Sequence, residues 1–192
     1  MASELADFDF DKVVRWSRAA QGKTLIRRQD ADLPFVDECE IGGADLLLDT
    51  CVNIDQMQDR TPEILETLIE VRQANHSTVA IQELMHTVGV LNPGDPRTAA
   101  AVVAIGAYIK EMRPHRTFAP EPDVLGKAAI LSGIICRQQH YGGDNRHRAL
   151  MDSVLFIQAL KLGFTVLTAN IGDFDLLLQL VPAGRVLFYR RK

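Results

Sequence analysis

The chain has 192 residues, 47% hydrophobic and 24% charged, with a formal net charge of -4; this suits one sizeable globular core with an appendage and argues against a broad basic surface for nonspecific nucleic-acid binding. No apolar run reaches the roughly 18 residues of a membrane span, and the opening ASELADFDFDK is acidic where a secretory signal is basic and then apolar, so a cytoplasmic protein with no membrane contact is expected. Cys39, Cys51 and Cys136 are an odd set without CxxC spacing, which argues against a disulfide framework or a zinc site.

From Phe8 to Gln21, Phe10, Val13, Val14 and Ser17 recur at helical spacing, with Gly22 as the stop. The polar stretch after it holds Pro34 and Gly42-Gly43, shows no sustained period and predicts an irregular arm. The run Asp45 to Asp49 (DLLLD) is too short for a helix, and its continuous leucines predict a central strand covered on both faces. Thr61 as N-cap and Pro62 at the first helical position open a helix carrying Ile64, Leu65, Leu68, Ile69 and Arg72. A second strand is expected at STVA (Ser77 to Ala80), then a helix in IQELMHTVGVL, and after the NPGDP break another in RTAAAVVAIGAYIKEM. Pro120 and Pro122 introduce a largely buried helix to Tyr141. The loop GGDNRH leads into a helix from Arg148, ended by Gly163, and a strand FTVLT; a short helix, a Pro-Gly turn and an edge strand RVLFY complete the chain.

Strands separated by helices predict an α/β domain with a mostly parallel sheet, in which ligands gather at the carboxyl ends of the strands. Asp49 ends LLLD, Glu83 falls three residues after STVA, Asp173 follows FTVLT across ANIG, and Asp152 is expected in the first turn of the helix feeding that strand. All four acids can therefore converge at one edge. Such a cluster is unfavourable without a cation, because like charges raise one another's pKa. Hard Mg²⁺ or Mn²⁺ suits an all-carboxylate set; zinc favours His or Cys, and no histidine pair here has HxxxH spacing. The chemistry implied is metal-assisted phosphodiester hydrolysis, with the ion rather than lysine compensating the acids. Taken singly, each acid serves equally well as a cap or a partner of a helix N-terminus.

The segments LLLDT (Leu46 to Thr50), STVAIQEL (Ser77 to Leu84), MDSVLFIQALKLGFTVLTAN (Met151 to Asn170) and GDF (Gly172 to Phe174) resemble, in order, the successive motifs of PIN domains, most closely VapC-like toxins. The resemblance runs from about Leu46 to Phe188. It implies a three-layer α/β/α fold with a mostly parallel sheet of four or five strands, residues 45–192 forming the nuclease domain and residues 1–44 an N-terminal helix and arm. It further implies that Asp49, Glu83, Asp152 and Asp173 are the metal-holding catalytic acids, that Thr50, Thr168 and Asn170 support them, and that the activity is Mg²⁺- or Mn²⁺-dependent cleavage of RNA. An antitoxin protein and a homodimer are the partners the family implies. Two departures stand out: Ser153 to Gln158 are bulkier than the family's small residues after the third acid, and the arm has no counterpart in a minimal toxin. A catalytically inactive PIN-like binding module and a structure-specific DNA nuclease are the alternatives.

Gly22-Lys23-Thr24 has the ending of a phosphate-binding loop, but Ser17 stands where the first glycine belongs and no strand precedes it. Arg146, His147 and Arg148 lie just before Asp152; Arg146 and Arg148 are candidates for holding an RNA phosphate, against a solvated helix start as the alternative. His76, His86, His115 and His140 are scattered and read as structural or exposed. Trp16, with Phe8 and Phe10, is expected to pack on the domain or on a second subunit. Arg190, Arg191 and Lys192 are expected to form a frayed basic tail.

Overall fold

The computed structural model describes residues 8–36 and 41–192, so most of the acidic opening segment and Cys39 lie outside the described residues. Five strands, Leu46–Leu48 (β1), Ala74–Ser77 (β2), Thr117–Phe118 (β3), Thr165–Thr168 (β4) and Val186–Phe188 (β5), form one sheet in the order β3-β2-β1-β4-β5, every pair parallel. The leucines of β1 show why the run is continuous: Leu47 faces one layer of core, Leu46 and Leu48 the other, as the two-residue period of a strand requires.

Helices Pro122–Gln138 (α6), Asp144–Leu162 (α7) and Ile171–Leu180 (α8) supply the Leu47 layer, and helices Thr50–Met57 (α2) and Glu63–Val71 (α3) supply the opposite one. Helices Thr78–Val90 (α4) and Thr98–Glu111 (α5) close a third, smaller cluster around Leu84, Ile105 and Met112. The fold is a three-layer α/β/α sandwich. Among the described residues no helix is long and apolar enough to cross a membrane.

Helix α7 is buried without a break from Asp152 to Ala159, and its bulky residues find room by local means. Phe156 packs on Phe174 with ring centroids 6.5 Å apart, and a Cβ at Gly184 would run into the Phe156 ring. Gly163 ends the helix in the left-handed region (φ 75°), as its position after the last periodic residue predicts.

The arm lies along the domain and is held by hydrogen bonds. Lys23 Nζ donates to the carbonyls of Gln179 (2.8 Å) and Leu180 (3.4 Å) at the end of α8, a C-capping role that leaves no phosphate loop at Gly22. Arg28 donates from its backbone N (2.8 Å) and Nε (2.6 Å) to Asp175, which is fully buried. Val36 N donates to the Phe188 carbonyl and Phe188 N to the Pro34 carbonyl, so residues 34–36 cover the outer edge of β5. Trp16 packs against the core, with Lys127 Nζ 5.6 Å from its ring centre. Truncating Asp175 to alanine strands the Arg28 donors, and we expect a loss of about 2 kcal/mol, the usual scale for hydrogen bonds to a charged group. Hydrogen exchange over residues 23–33 should accelerate in that variant; unchanged exchange would show that the arm is anchored otherwise.

Several expectations are corrected. The first helix is shorter: Phe10–Val14 (α1) is α-helical, capped by Asp9, and Arg15–Ala20 tightens into a 3₁₀ turn before Gly22 stops it at φ 71°. The second strand is Ala74–Ser77 and not Ser77 to Ala80. Ser77 Oγ accepts from Val79 N and caps α4, and a cap followed by a packed helix outweighs the weak strand preference of Thr78 and Val79. Helix α3 has Pro62, not Thr61, at its cap position. Strand β3 has no counterpart among the expected elements, since two residues carry no periodicity. Helix α7 starts at Asp144, inside the expected loop, because its first turns stand mostly in solvent and show no apolar face. The basic tail is tied down rather than frayed: Arg190 pairs with Asp30, Arg191 with Asp55, and Lys192 Nζ lies 3.7 Å from Asp59.

Candidate functional site

Parallel β1 and β4 end side by side, with Leu48 opposite Leu167, so the residues just beyond each strand emerge at the same edge. Asp49 comes directly after β1 at the N-cap position of α2, and Asp173 lies in the first turn of α8 after β4. Glu83 sits in the second turn of α4, and Asp152 in the third turn of α7, not the first. The longer α7 still delivers Asp152 to this edge, because the helix runs back toward the start of β4.

A cleft of about 1030 Å³ opens there, lined by Asp49, Thr50, Glu83, Asp152 and Asn170. Asp173 does not line it and stands behind Asn170. A smaller cavity of about 320 Å³, beside His76, Glu70, Glu111 and Arg116, contains none of the four acids.

Hydroxyl and amide donors orient the acids. Thr168 Oγ1 donates to Asp49 Oδ2 (2.5 Å), and Cys51 Sγ donates to the same oxygen (3.0 Å). Thr50 Oγ1 donates to Glu83 Oε2. Asn170 Nδ2 donates to Asp152 Oδ2 (2.9 Å) and Asp173 Oδ2 (3.3 Å), bridging the third and fourth acids, while Tyr141 OH donates to Asp173 Oδ1 (2.8 Å). Thr50, Thr168 and Asn170 are thus all in contact with the acids they were expected to support. Tyr141 is an addition that sequence reasoning missed: it precedes α7 in a segment with no motif.

Burial first, then the charges of Asp49, Asp173 and Glu83, push the Asp152 carboxyl well above the usual carboxylate range. Burial raises Asp49 against the opposing Thr168 and Cys51 hydrogen bonds, and raises Glu83 against that of Thr50, with Asp49 adding to the rise. Burial and the bond to Asp173 lift the Tyr141 phenol to about 12. Among the described residues no three His, Cys, Asp or Glu side chains already enclose a point where an ion would sit. Asp49, Glu83 and Asp152 form an oxygen-only donor set of the kind a hard cation takes.

Arg148, His147 and Asp144 from α7 and His86 from α4 also line the cleft, with the His86 and His147 ring centres 6.2 Å apart. Arg148, one of the two candidates for holding an RNA phosphate, is among the lining residues. Arg146 does not line the cleft and donates to the Tyr141 carbonyl (2.8 Å). His86 and His147 were missed as a pair because 61 positions of sequence separate them, on two different helices.

No family model and no curated protein matches the chain. Solved structures do. The fold is similar to that of a chain in VapBC2 from Rickettsia felis bound to a DNA fragment from their promoter, at a TM-score of 0.53 and 14% identity, over 76% of this chain and 98% of that one. It is similar to the same degree to a chain in DNA bound VapBC from Salmonella typhimurium, with a TM-score of 0.53 and 14% identity over 75% and 97% of the two chains. At such identity the likeness is one of fold, and the five-stranded parallel α/β/α sandwich of this chain is a fold that occurs in VapBC complexes.

Proposed function

We propose that the chain is a PIN-like, VapC-like endoribonuclease that hydrolyses RNA phosphodiester bonds with Mg²⁺ or Mn²⁺. The observation that carries this is geometric: Asp49, Glu83 and Asp152 line one cleft at the carboxyl edge of the sheet, beside Arg148. Asp49, Glu83 and Asp152 would hold the ion, with Asp173 acting through Asn170. When bound, the ion supplies an activated water and charge stabilisation for the leaving oxygen. The chain's own residues do the rest. Thr168 and Thr50 orient the carboxylates of Asp49 and Glu83, and Asn170 ties Asp152 to Asp173. Arg148 and the histidine pair receive the phosphate backbone. The neighbouring folds occur in VapBC complexes, which supports an antitoxin protein as partner; a homodimer is the expected assembly, and a toxin role in the cytoplasm goes with both.

Thermal denaturation across a Mn²⁺ titration, run beside cleavage of labelled RNA and of DNA of the same sequence, tests the proposal. A ligand confined to the folded state adds about 2.7 kcal/mol at a hundred times its dissociation constant, so the melting temperature should climb by several degrees while RNA is cut. Cleavage of DNA alone would reassign the enzyme. No shift and no cleavage would leave a catalytically inactive binding module.

A further inference from the structure

A second arginine reaches the cleft. Arg191 lines it from the α2 side of the sheet, opposite α7, although it lies beyond β5, 108 residues after Glu83. Its position comes from Asp55, a fully buried carboxylate in the last turn of α2. Asp55 accepts from Arg191 Nε at 2.7 and 3.0 Å and from Tyr189 OH at 2.7 Å, and forms an ion pair with Arg60 Nη2 at 2.7 Å. Lys192 N also donates to the Arg60 carbonyl (3.0 Å), fastening the segment beyond Arg191.

Two features make this more than a structural ion pair. One carboxylate faces two guanidinium groups, so Asp55 does not by itself use up the charge of Arg191. Arg191 also binds Asp55 only through Nε; among the described residues neither of its terminal amino groups has a hydrogen-bond partner, and its side chain is 48% exposed. A guanidinium held by its inner nitrogen presents its outer fork to a phosphate with little entropy left to lose.

We propose that Arg191, preset by Asp55, is a phosphate-contacting residue for single-stranded nucleic acid crossing the cleft. It works opposite Arg148 and the His86/His147 pair, so that the strand is gripped on both sides of the carboxylates. This rests on the nuclease reading above. It also explains why residues that look like a frayed tail are pinned to a buried acid.

Two variants separate phosphate contact from mere support of Asp55. Arg191→Ala removes both roles. Arg191→Lys keeps a point charge that can satisfy Asp55 or a phosphate but not both. Binding of a fluorescein-labelled single-stranded RNA is measured by anisotropy in EDTA over a range of salt, beside melting temperatures and Mn²⁺-dependent cleavage. Arg191→Ala should weaken binding about tenfold, as expected for one lost charge-assisted contact, and reduce the slope of log K against log salt by about 0.7. Arg191→Lys should recover the melting temperature without recovering the affinity.

Wild-type affinity and salt slope in Arg191→Ala overturn the inference while leaving the nuclease intact. Parallel recovery of stability and affinity by lysine overturns it too, reducing Arg191 to a partner of Asp55. Arg191-dependent binding without cleavage keeps the inference and removes the nuclease reading; neither binding nor cleavage by the wild-type chain removes both. Arg191-dependent capture of a polyglutamate peptide, with no affinity for RNA, would assign the cleft to an acidic protein segment instead.

Discussion

Replacing Asp152 with asparagine is expected to reduce metal-dependent RNA cleavage by about 10³-fold and, at the same time, to raise the melting temperature of the metal-free protein. The first effect comes from losing one charged oxygen donor at the floor of the cleft, worth several kcal/mol of transition-state charge stabilisation at ~1.4 kcal/mol per tenfold. The second comes from the repulsion the carboxylate feels. Its folded-state pKa lies well above that of the unfolded chain, because of burial and the charges of Asp49, Asp173 and Glu83. Stability tied to such a group is fully present below the unfolded value, about 4, and is lost as pH rises toward and through the folded one. The metal-free wild type should therefore weaken from about pH 4 upward, and the Asp152→Asn variant should weaken less. The amide retains an oxygen for Asn170 Nδ2, which sits 2.9 Å from Asp152 Oδ2. Kinetics in Mn²⁺ and melting curves in EDTA over a pH series read both effects. Cleavage within about tenfold of wild type would take Asp152 out of the catalytic set, and a lower metal-free melting temperature at about pH 7 would contradict the electrostatic account.

Asp55→Ala should cost about 3 kcal/mol, because deleting one partner of a buried charge network strands the others. That figure is at the low end of the usual range: Arg60 and Arg191 are 42% and 48% exposed and keep part of their hydration, while the Tyr189 hydroxyl is buried and loses the carboxylate that accepts from it. For a domain of this size the melting temperature should fall by roughly 10 °C. Circular dichroism melts at low and high salt give the answer. A change under about 2 °C would mean that the segment after β5 is held by its sheet contacts and not by Asp55. The same variant releases Arg191, so RNA affinity should fall with it.

The carboxylate edge was largely legible from local sequence. DLLLD reads as a strand because three consecutive leucines need cover on both sides, and an acid placed directly after a parallel strand is bound to arrive at the carboxyl edge whatever surrounds it. Glu83 and Asp152 line the same cleft even though the strand before Glu83 ends at Ser77 and Asp152 stands two turns further along its helix than expected. Those errors have one cause: boundaries depend on caps and solvent exposure, whereas periodicity reports only the buried part of an element.

What sequence alone determined, then, is which residue types lie along the ends of the strands, since that depends on neighbours a few positions away. Tertiary structure alone decided the rest of the site. His86 meets His147 across two helices, Arg28 reaches Asp175 over 147 positions, and Arg191 is fixed to Asp55 over 136. A basic residue near a chain end carries no local mark of whether it is solvated or pinned. Only a buried carboxylate from a distant helix, which must be neutralised to remain buried, turns Arg191 into a wall of the cleft.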